Sequence, residues 1–163
     1  MRFHNITKDD MLNGNDLRVV LWLSGCTHAC AGCQNPITWD INGGITFDEI
    51  AKAELFSELT KDYIAGVTFS GGDPLHPANR EDLALLIQEI HTKFPTKNIW
   101  LYTGFTWDEI KDFPFVPYID VIVDGRFKID LLDKQLHWKG SSNQNVIDVK
   151  NSLAGNKIVL WES

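Results

Sequence analysis

The chain of 163 residues is poor in cysteine and has no long apolar run. It contains only three cysteines, an odd number that cannot close into intrachain disulfides alone. The longest apolar run near its start, residues 19–23, is far too short to cross a bilayer, so we expect no membrane partner. The sequence also lacks the Gly-x-Ser-x-Gly, phosphate-loop and His-Glu-x-x-His patterns of several common enzyme classes.

Positive charge is scarce as well, with 15 Lys and Arg against 22 Asp and Glu and a formal net charge of -7. This balance argues against a general nucleic-acid-binding protein, because such proteins present a basic face. Residues 1–16 are polar and acidic, unlike a secretory signal peptide. We therefore expect a cytoplasmic protein. In that compartment thiols stay reduced, and clustered cysteines usually bind metal or take part in redox chemistry.

Apolar segments typical of strands alternate with segments typical of helices, which predicts an α/β fold with a parallel sheet and crossover helices. The length predicts one domain over residues 1–163 and is too short for a complete eight-stranded barrel, which needs about 250 residues. An incomplete barrel and an open doubly wound sheet both remain possible. The predicted strands cover residues 17–23, 64–69, 98–102 and 119–123, with weaker signals at 146–149 and 157–161.

Two helix starts are indicated by the capping-box pattern Thr-x-x-Glu, in which both side chains bond the first turn. One begins at Thr46 and predicts a helix to about Thr60, and the other begins at Thr106 and predicts a short helix. A further helix is predicted over residues 79–92, and a helical turn over residues 151–154.

All three cysteines lie in the loop after the first predicted strand, as Cys26-x3-Cys30-x2-Cys33. Three thiolates on so short a loop can wrap one compact inorganic group. A cube of four irons commonly takes four cysteines, so here one iron lacks a protein thiolate and can bind a chelating ligand. The alternative is a zinc site with His28 as its fourth ligand. His28 lies two residues from both Cys26 and Cys30, where a tetrahedron is hard to close.

A second motif, Gly71-Gly72-Asp73, follows the next predicted strand, about 40 residues after the cysteines. Glycine lets the backbone approach a ligand without a Cβ in the way, and a carboxylate can accept a hydrogen bond from an ammonium group. The alternative is an ordinary turn between strand and helix. Its position at the adjacent strand end favours a ligand, because parallel strands present their carboxyl ends at one edge of a sheet.

Two later strand ends carry weaker candidates. Thr103 and Gly104 close one strand, and Asp124 closes the next, in the segment Asp124-Gly125-Arg126-Phe127. Asp-Gly is also an ordinary turn, so a ligand contact and a turn are equally compatible with Asp124. The segment 140–144, Gly-Ser-Ser-Asn-Gln, is polar and typical of a turn.

The cysteine spacing resembles the cluster motif of radical S-adenosylmethionine (SAM) enzymes. That superfamily usually has an aromatic residue before its third cysteine, whereas this chain has Gly32. The form Cys-x-Gly-Cys-x-Asn, which ends here at Asn35, is similar to the activating proteins of anaerobic (class III) ribonucleotide reductases, which are among the shortest members. The segments at 124–127 and 140–144 also resemble activase segments. This resemblance implies an incomplete (βα) barrel of the radical SAM type.

The resemblance also implies the cofactors. One [4Fe-4S] cluster is expected on Cys26, Cys30 and Cys33, with SAM chelating the fourth iron. The superfamily has Gly-Gly-Glu where this chain has Gly-Gly-Asp, and its acidic residue contacts the SAM amino group. The residues expected to contact SAM are Gly71, Gly72, Asp73, Thr103 and Asp124.

By the same resemblance, the protein is an oxidoreductase that reductively cleaves SAM to methionine and a 5′-deoxyadenosyl radical. The radical abstracts a hydrogen atom from a glycine of the large anaerobic ribonucleoside-triphosphate reductase and leaves a glycyl radical there. The implied electron donor is a flavodoxin-type protein. With no further cysteine, there is no second Cys-ligated cluster.

Other functions remain open from the residues alone. One is a radical SAM enzyme that acts on another glycyl-radical enzyme or on a small molecule. Another, from a different class, is a non-catalytic module that binds zinc or an iron–sulfur cluster.

Overall fold

The computed structural model describes residues 1–162 and contains one mixed sheet of seven strands. Across the sheet the strands lie in the order β3-β1-β2-β4-β5-β6-β7. None of the helices in residues 1–162 is long and apolar enough to span a membrane. The strands are β1 (Arg2–Asp10), β2 (Arg18–Leu23), β3 (Ile45–Thr46), β4 (Gly66–Gly71), β5 (Asn98–Tyr102), β6 (Val121–Asp124) and β7 (Asn145–Asp148).

The four central strands β2, β4, β5 and β6 are parallel, which confirms the predicted α/β arrangement. The sheet is not parallel throughout, because β1, β3 and β7 pair antiparallel at its margins. The sequence did not reveal β1, since only Phe3 and Ile6 of its nine residues are buried and the others are polar or half-exposed. A strand with so few core residues gives little apolar alternation to detect.

Three helices connect these strands, α1 (Glu49–Leu59), α2 (Arg80–Lys93) and α3 (Trp107–Ile110), and a fourth, α4 (Val149–Gly155), follows β7. The capping box predicted at Thr46 is wrong. Thr46 lies in β3, and the Asp48 carboxylate caps α1 by accepting from the Ala51 backbone N–H at 2.9 Å. Asp48 offers an acceptor one residue from the helix, which outcompetes the more distant threonine.

The second capping box is confirmed. The Glu109 carboxylate accepts from the Thr106 backbone N–H at 2.7 Å and from the Thr106 hydroxyl at 3.0 Å, and α3 begins at the next residue.

The last predicted strand, residues 157–161, is wrong, because only Leu160 bridges to the sheet, opposite Ile147. The predicted turn at 151–154 is the middle of α4. The Asp148 carboxylate ends β7 and begins α4 by accepting from the Asn151 backbone N–H at 3.0 Å.

The two faces of the sheet are packed differently. Leu21, Phe69, Leu101 and Ile122 share one core cluster with buried side chains from all four helices. Since neighbouring residues of a strand point to opposite faces, their neighbours form the other face. There Trp100, Val121 and Val123 form a separate cluster, joined by Trp138 and Trp161 from outside the central strands. The helices therefore cover one face only.

Candidate functional site

The three cysteines lie in the loop that leaves β2 at the carboxyl edge of the parallel strands. Each is half-buried and reduced. A 3-10 turn at Pro36–Thr38 brings the chain back, so that the Gly25 backbone N–H donates to the Thr38 carbonyl at 2.7 Å and the Cys26 N–H donates to the Trp39 carbonyl at 3.0 Å. The loop is therefore closed at its base by main-chain hydrogen bonds, and its cysteines are held beside the sheet.

The thiols have different surroundings. Burial raises the pKa of the Cys26 thiol, and the nearby Asp73 carboxylate adds to the increase. The Cys33 Sγ accepts two hydrogen bonds of 3.4 Å, from the Asn35 backbone N–H and from the Trp39 indole Nε1. Donors aimed at a sulfur suit a thiolate, since negative charge strengthens the bond.

Gly72 of the second motif packs directly against this loop, and Gly71 packs against the end of β2. Gly72 leaves no room for a Cβ, which would lie 2.5 Å from the Gly25 carbonyl oxygen and 2.7 Å from that of Thr38. Gly71 has a φ of +105°, and a Cβ there would lie 2.5 Å from the Leu23 carbonyl oxygen. The Asp73 backbone N–H then donates to the Gly25 carbonyl at 2.7 Å. The structure thus brings the first and second motifs together, and the close approach allowed by Gly72 is to the cysteine loop.

Asp73 is the centre of this contact and is only 2% exposed. Its carboxylate accepts from the Leu75 and Gly104 backbone N–H groups, each at 2.9 Å, and from the Thr103 hydroxyl at 2.9 Å. His28 Nε2 lies 2.6 Å from the same carboxylate. A carboxylate has about four acceptor positions, so protein donors fill those of Asp73.

The contact of His28 Nδ1 shows which ring nitrogen donates and which accepts. The Arg126 guanidinium, which can only donate, lies with its Nε 3.1 Å from His28 Nδ1. Nδ1 is therefore the acceptor, and Nε2 carries the proton that is donated to Asp73. Gly104 makes room for the ring, and Phe105 stacks on it edge to face at 4.7 Å. With both ring nitrogens engaged, His28 does not fill the place of a fourth zinc ligand.

The later strand ends lie beside this site. Thr103 joins it directly through Asp73. Asp124 is 3% exposed and does not contact Asp73 by hydrogen bond. Its carboxylate accepts from the Trp107 backbone N–H at 2.8 Å and from the Asn145 backbone and side-chain N–H groups at 3.1 and 3.0 Å. Asp124 therefore ties the start of α3 to β7.

The polar segment 140–144 is hydrogen-bonded to the loop that follows β6. The Gln144 amide oxygen accepts from the Gly140 and Ser141 backbone N–H groups at 3.0 and 3.1 Å, and its Nε2 donates to the Gly125 carbonyl at 3.0 Å. The Asn143 side chain donates to the Arg126 carbonyl at 2.7 Å. Sequence reasoning found this segment but not its role, which is to hold Arg126 near the cysteine loop.

Two cavities border the site. One, of about 230 Å³, lies on the helix-free face beside Cys33 and is lined by Trp22, Ser70 and Tyr102. The other, of about 540 Å³, is lined by His28, Asp124, the start of α3 and the loop after β6. Within residues 1–162, no three His, Cys, Asp or Glu side chains converge on the position of a single metal ion.

Gly32, the residue that departs from the radical SAM pattern, has a structural reason to be glycine. Its φ is +74°, and a Cβ there would lie 2.8 Å from the Ile129 Cδ1 atom. Sequence reasoning missed three contributors: His28, considered only as a zinc ligand, and Asn35 and Trp39 as donors to Cys33. Each contact depends on how the loop folds back, which spacing alone does not reveal.

Comparison with known proteins finds relatives that share one name and match most of the chain. The family described as "4Fe-4S single cluster domain" matches residues 12–147. The chain is 43% identical over 146 residues to the anaerobic ribonucleoside-triphosphate reductase-activating protein of Enterobacteria phage T4, covering 90% of this chain and 93% of the phage protein. It is 43% and 41% identical to the proteins of that name from Salmonella typhimurium and Escherichia coli K12, in both cases over 90% of this chain and 97% of the relative. The chain therefore belongs to the family of anaerobic ribonucleoside-triphosphate reductase-activating proteins, within the 4Fe-4S single cluster domain family.

Proposed function

We propose that this protein is a radical SAM activating enzyme that generates the glycyl radical of an anaerobic ribonucleoside-triphosphate reductase. The observation that carries the proposal is the packing of the three-cysteine loop on the Gly71-Gly72-Asp73 edge. The proposed cluster ligands are Cys26, Cys30 and Cys33. The activity in the names of the phage and bacterial relatives supports the choice of partner.

The residues suit the two groups. Three half-buried thiols on one loop suit a [4Fe-4S] cluster with one iron open to SAM. When bound, the reduced cluster and SAM supply a 5′-deoxyadenosyl radical, which takes a hydrogen atom from a glycine of the partner. The chain's own work is to position these groups and to exclude water from them.

We propose that the methionyl part of SAM lies along Gly71 and Gly72, next to the cavity beside Cys33. Because its acceptor positions are filled by protein donors, the Asp73 carboxylate contributes by holding this edge against the cysteine loop. Thr103 and Asp124 close the neighbouring strand ends and are proposed to border the same ligand.

The proposed fold is the incomplete (βα) barrel of the radical SAM type, formed as one domain over residues 1–163. The location of all four helices on one face supports it, since a doubly wound sheet has helices on both faces. The helix-free face then becomes the barrel interior, where the cavity beside Cys33 lies. The family resemblance further supports a flavodoxin-type electron donor and a cytoplasmic location.

Anaerobic reconstitution with iron and sulfide tests the proposal. We expect about four irons per chain, and formation of 5′-deoxyadenosine once dithionite and SAM are added. The Cys33→Ala variant is the matched control and should form little or none. A protein that binds a full cluster yet leaves SAM intact would show that the radical function is wrong, and stoichiometric zinc would show that the cluster is wrong.

A further inference from the structure

Trp39 lies outside every motif found in the sequence, yet it contacts both ends of the cysteine loop. Its backbone carbonyl accepts from the Cys26 N–H at 3.0 Å, and its indole Nε1 donates to the Cys33 Sγ at 3.4 Å. The 3-10 turn at Pro36–Thr38 places it there, since the Trp39 N–H donates to the Pro36 carbonyl at 3.2 Å. The backbone that carries the indole is therefore fixed by main-chain hydrogen bonds that close the loop.

The Trp39 indole is a side-chain donor, whereas the other hydrogen-bond donors near the cysteines are backbone N–H groups. Cys26 is approached by the backbone N–H groups of His28 and Ala29, and Cys33 also receives the Asn35 backbone N–H. Within residues 1–162, no other side chain donates a hydrogen bond to a cysteine sulfur. Substitution can therefore remove the Trp39 donor while the backbone donors stay in place.

A hydrogen bond to a ligating sulfur matters most when the cluster gains an electron. The added negative charge is shared with the sulfurs, so a donor stabilises the reduced state more than the oxidised state. Hydrogen bonds to the sulfurs are among the factors that set the potential of such clusters. Groups around the ligands tune a metal centre in the same way.

We infer that Trp39 is a positioning residue that raises the reduction potential of the cluster through its hydrogen bond to Cys33. The inference rests on the proposed ligation of the cluster by Cys33. It gives Trp39 a part in the electron-transfer step that precedes SAM cleavage: the bond makes the one-electron reduction of the cluster by the donor more favourable.

The test is a potentiometric titration of the reconstituted protein, followed by the electron paramagnetic resonance (EPR) signal of the reduced cluster. We expect Trp39→Phe to lower the equilibrium constant for reduction about tenfold, which is about 59 mV for a one-electron couple. Trp161→Phe is the control, because Trp161 packs on Trp100 and its indole Nε1 has no hydrogen-bond partner within residues 1–162. It should leave the midpoint unchanged.

A second variant separates the hydrogen bond from packing. Benzothienylalanine at position 39 keeps the shape of the indole and replaces its N–H with sulfur, so it should reproduce the shift even if Trp39→Phe assembles no cluster. A full cluster with an unchanged midpoint in this variant would overturn the inference and leave the proposed function standing. Absence of both cluster and SAM cleavage in the unsubstituted protein would instead overturn the proposed function, and with it the inference.

Discussion

Asp73 joins the loops after three neighbouring strands through one buried carboxylate. We expect Asp73→Asn to lower the free energy of unfolding by about 3 kcal/mol, because the new amide N–H₂ faces donors and leaves buried donors unpaired. Urea unfolding of the reduced, cluster-free protein measures this. Asp108→Asn is the control, since the Asp108 side chain is 85% exposed and should change stability by less than about 0.5 kcal/mol. Equal stability of the two variants would contradict the role assigned to Asp73.

Gly72 tests the close packing of the cysteine loop. Gly72→Ala would place a Cβ against the Gly25 and Thr38 carbonyl oxygens, and both belong to backbone that cannot move alone. We expect lower stability and a large loss of bound iron after reconstitution. Gly155→Ala is the matched control, because a Cβ there meets nothing closer than 3.8 Å and alanine favours the helix. Normal iron content in Gly72→Ala would mean that the loop does not need this contact.

At this scale the sequence predicts residue types better than their partners. The three closely spaced cysteines form one recognisable motif, and the paired glycines at a strand end form another. Few other structures need such spacing within either motif. The bond between His28 and Asp73 spans 45 positions, and no local pattern reveals it. Asp73 could therefore be selected as a site residue, but its filled acceptor positions could not be foreseen.

At the scale of elements, α3 depends on a titratable cap. The hydrogen bonds from the Thr106 backbone and hydroxyl hold the pKa of Glu109 below its ordinary value of 4.5. The charged carboxylate is thus favoured by folding, and its contribution is present above pH 4.5 and lost as pH falls through the lowered pKa. We expect Glu109→Gln to unfold at lower temperature than the unsubstituted protein at pH 7.

That difference in melting temperature should shrink as the pH is lowered from 5 to 3. Glu81→Gln is the control: Glu81 is an exposed first-turn residue of α2 whose side chain makes no hydrogen bond within residues 1–162. A difference for Glu109→Gln that stays constant over this range would rule out the charged cap.

The central strands were predictable because they are buried on both faces and rich in branched apolar residues. The antiparallel strand β1 was not, because its polar residues hide its pairing with β2. Near residue 160 the error is the reverse, because the sequence predicts a strand that the structure does not contain. Residues 157–161 look like a strand, yet Asp148 begins α4 and leaves Leu160 a single bridge to the sheet.

At the scale of the whole molecule, the uneven covering of the sheet organises the site. Helices occupy one face, and the cysteine loop, the glycine edge and the cavity beside Cys33 meet at the carboxyl edge toward the other. Segment 140–144 holds the loop after β6 over this region through Gln144. The sequence predicts the alternation of elements and the shared edge. It does not predict which face stays free, since that depends on the order of the parallel strands in the sheet, which the alternation of elements does not reveal.

The activity proposed for this chain is the formation of a glycyl radical in a partner reductase. The most direct measurement is EPR of the anaerobic ribonucleoside-triphosphate reductase after incubation with the reduced, reconstituted protein and SAM. We predict a glycyl radical signal that is absent with Cys33→Ala and lost when the reductase glycine is replaced by alanine. Formation of 5′-deoxyadenosine without any glycyl signal in the reductase would contradict the account.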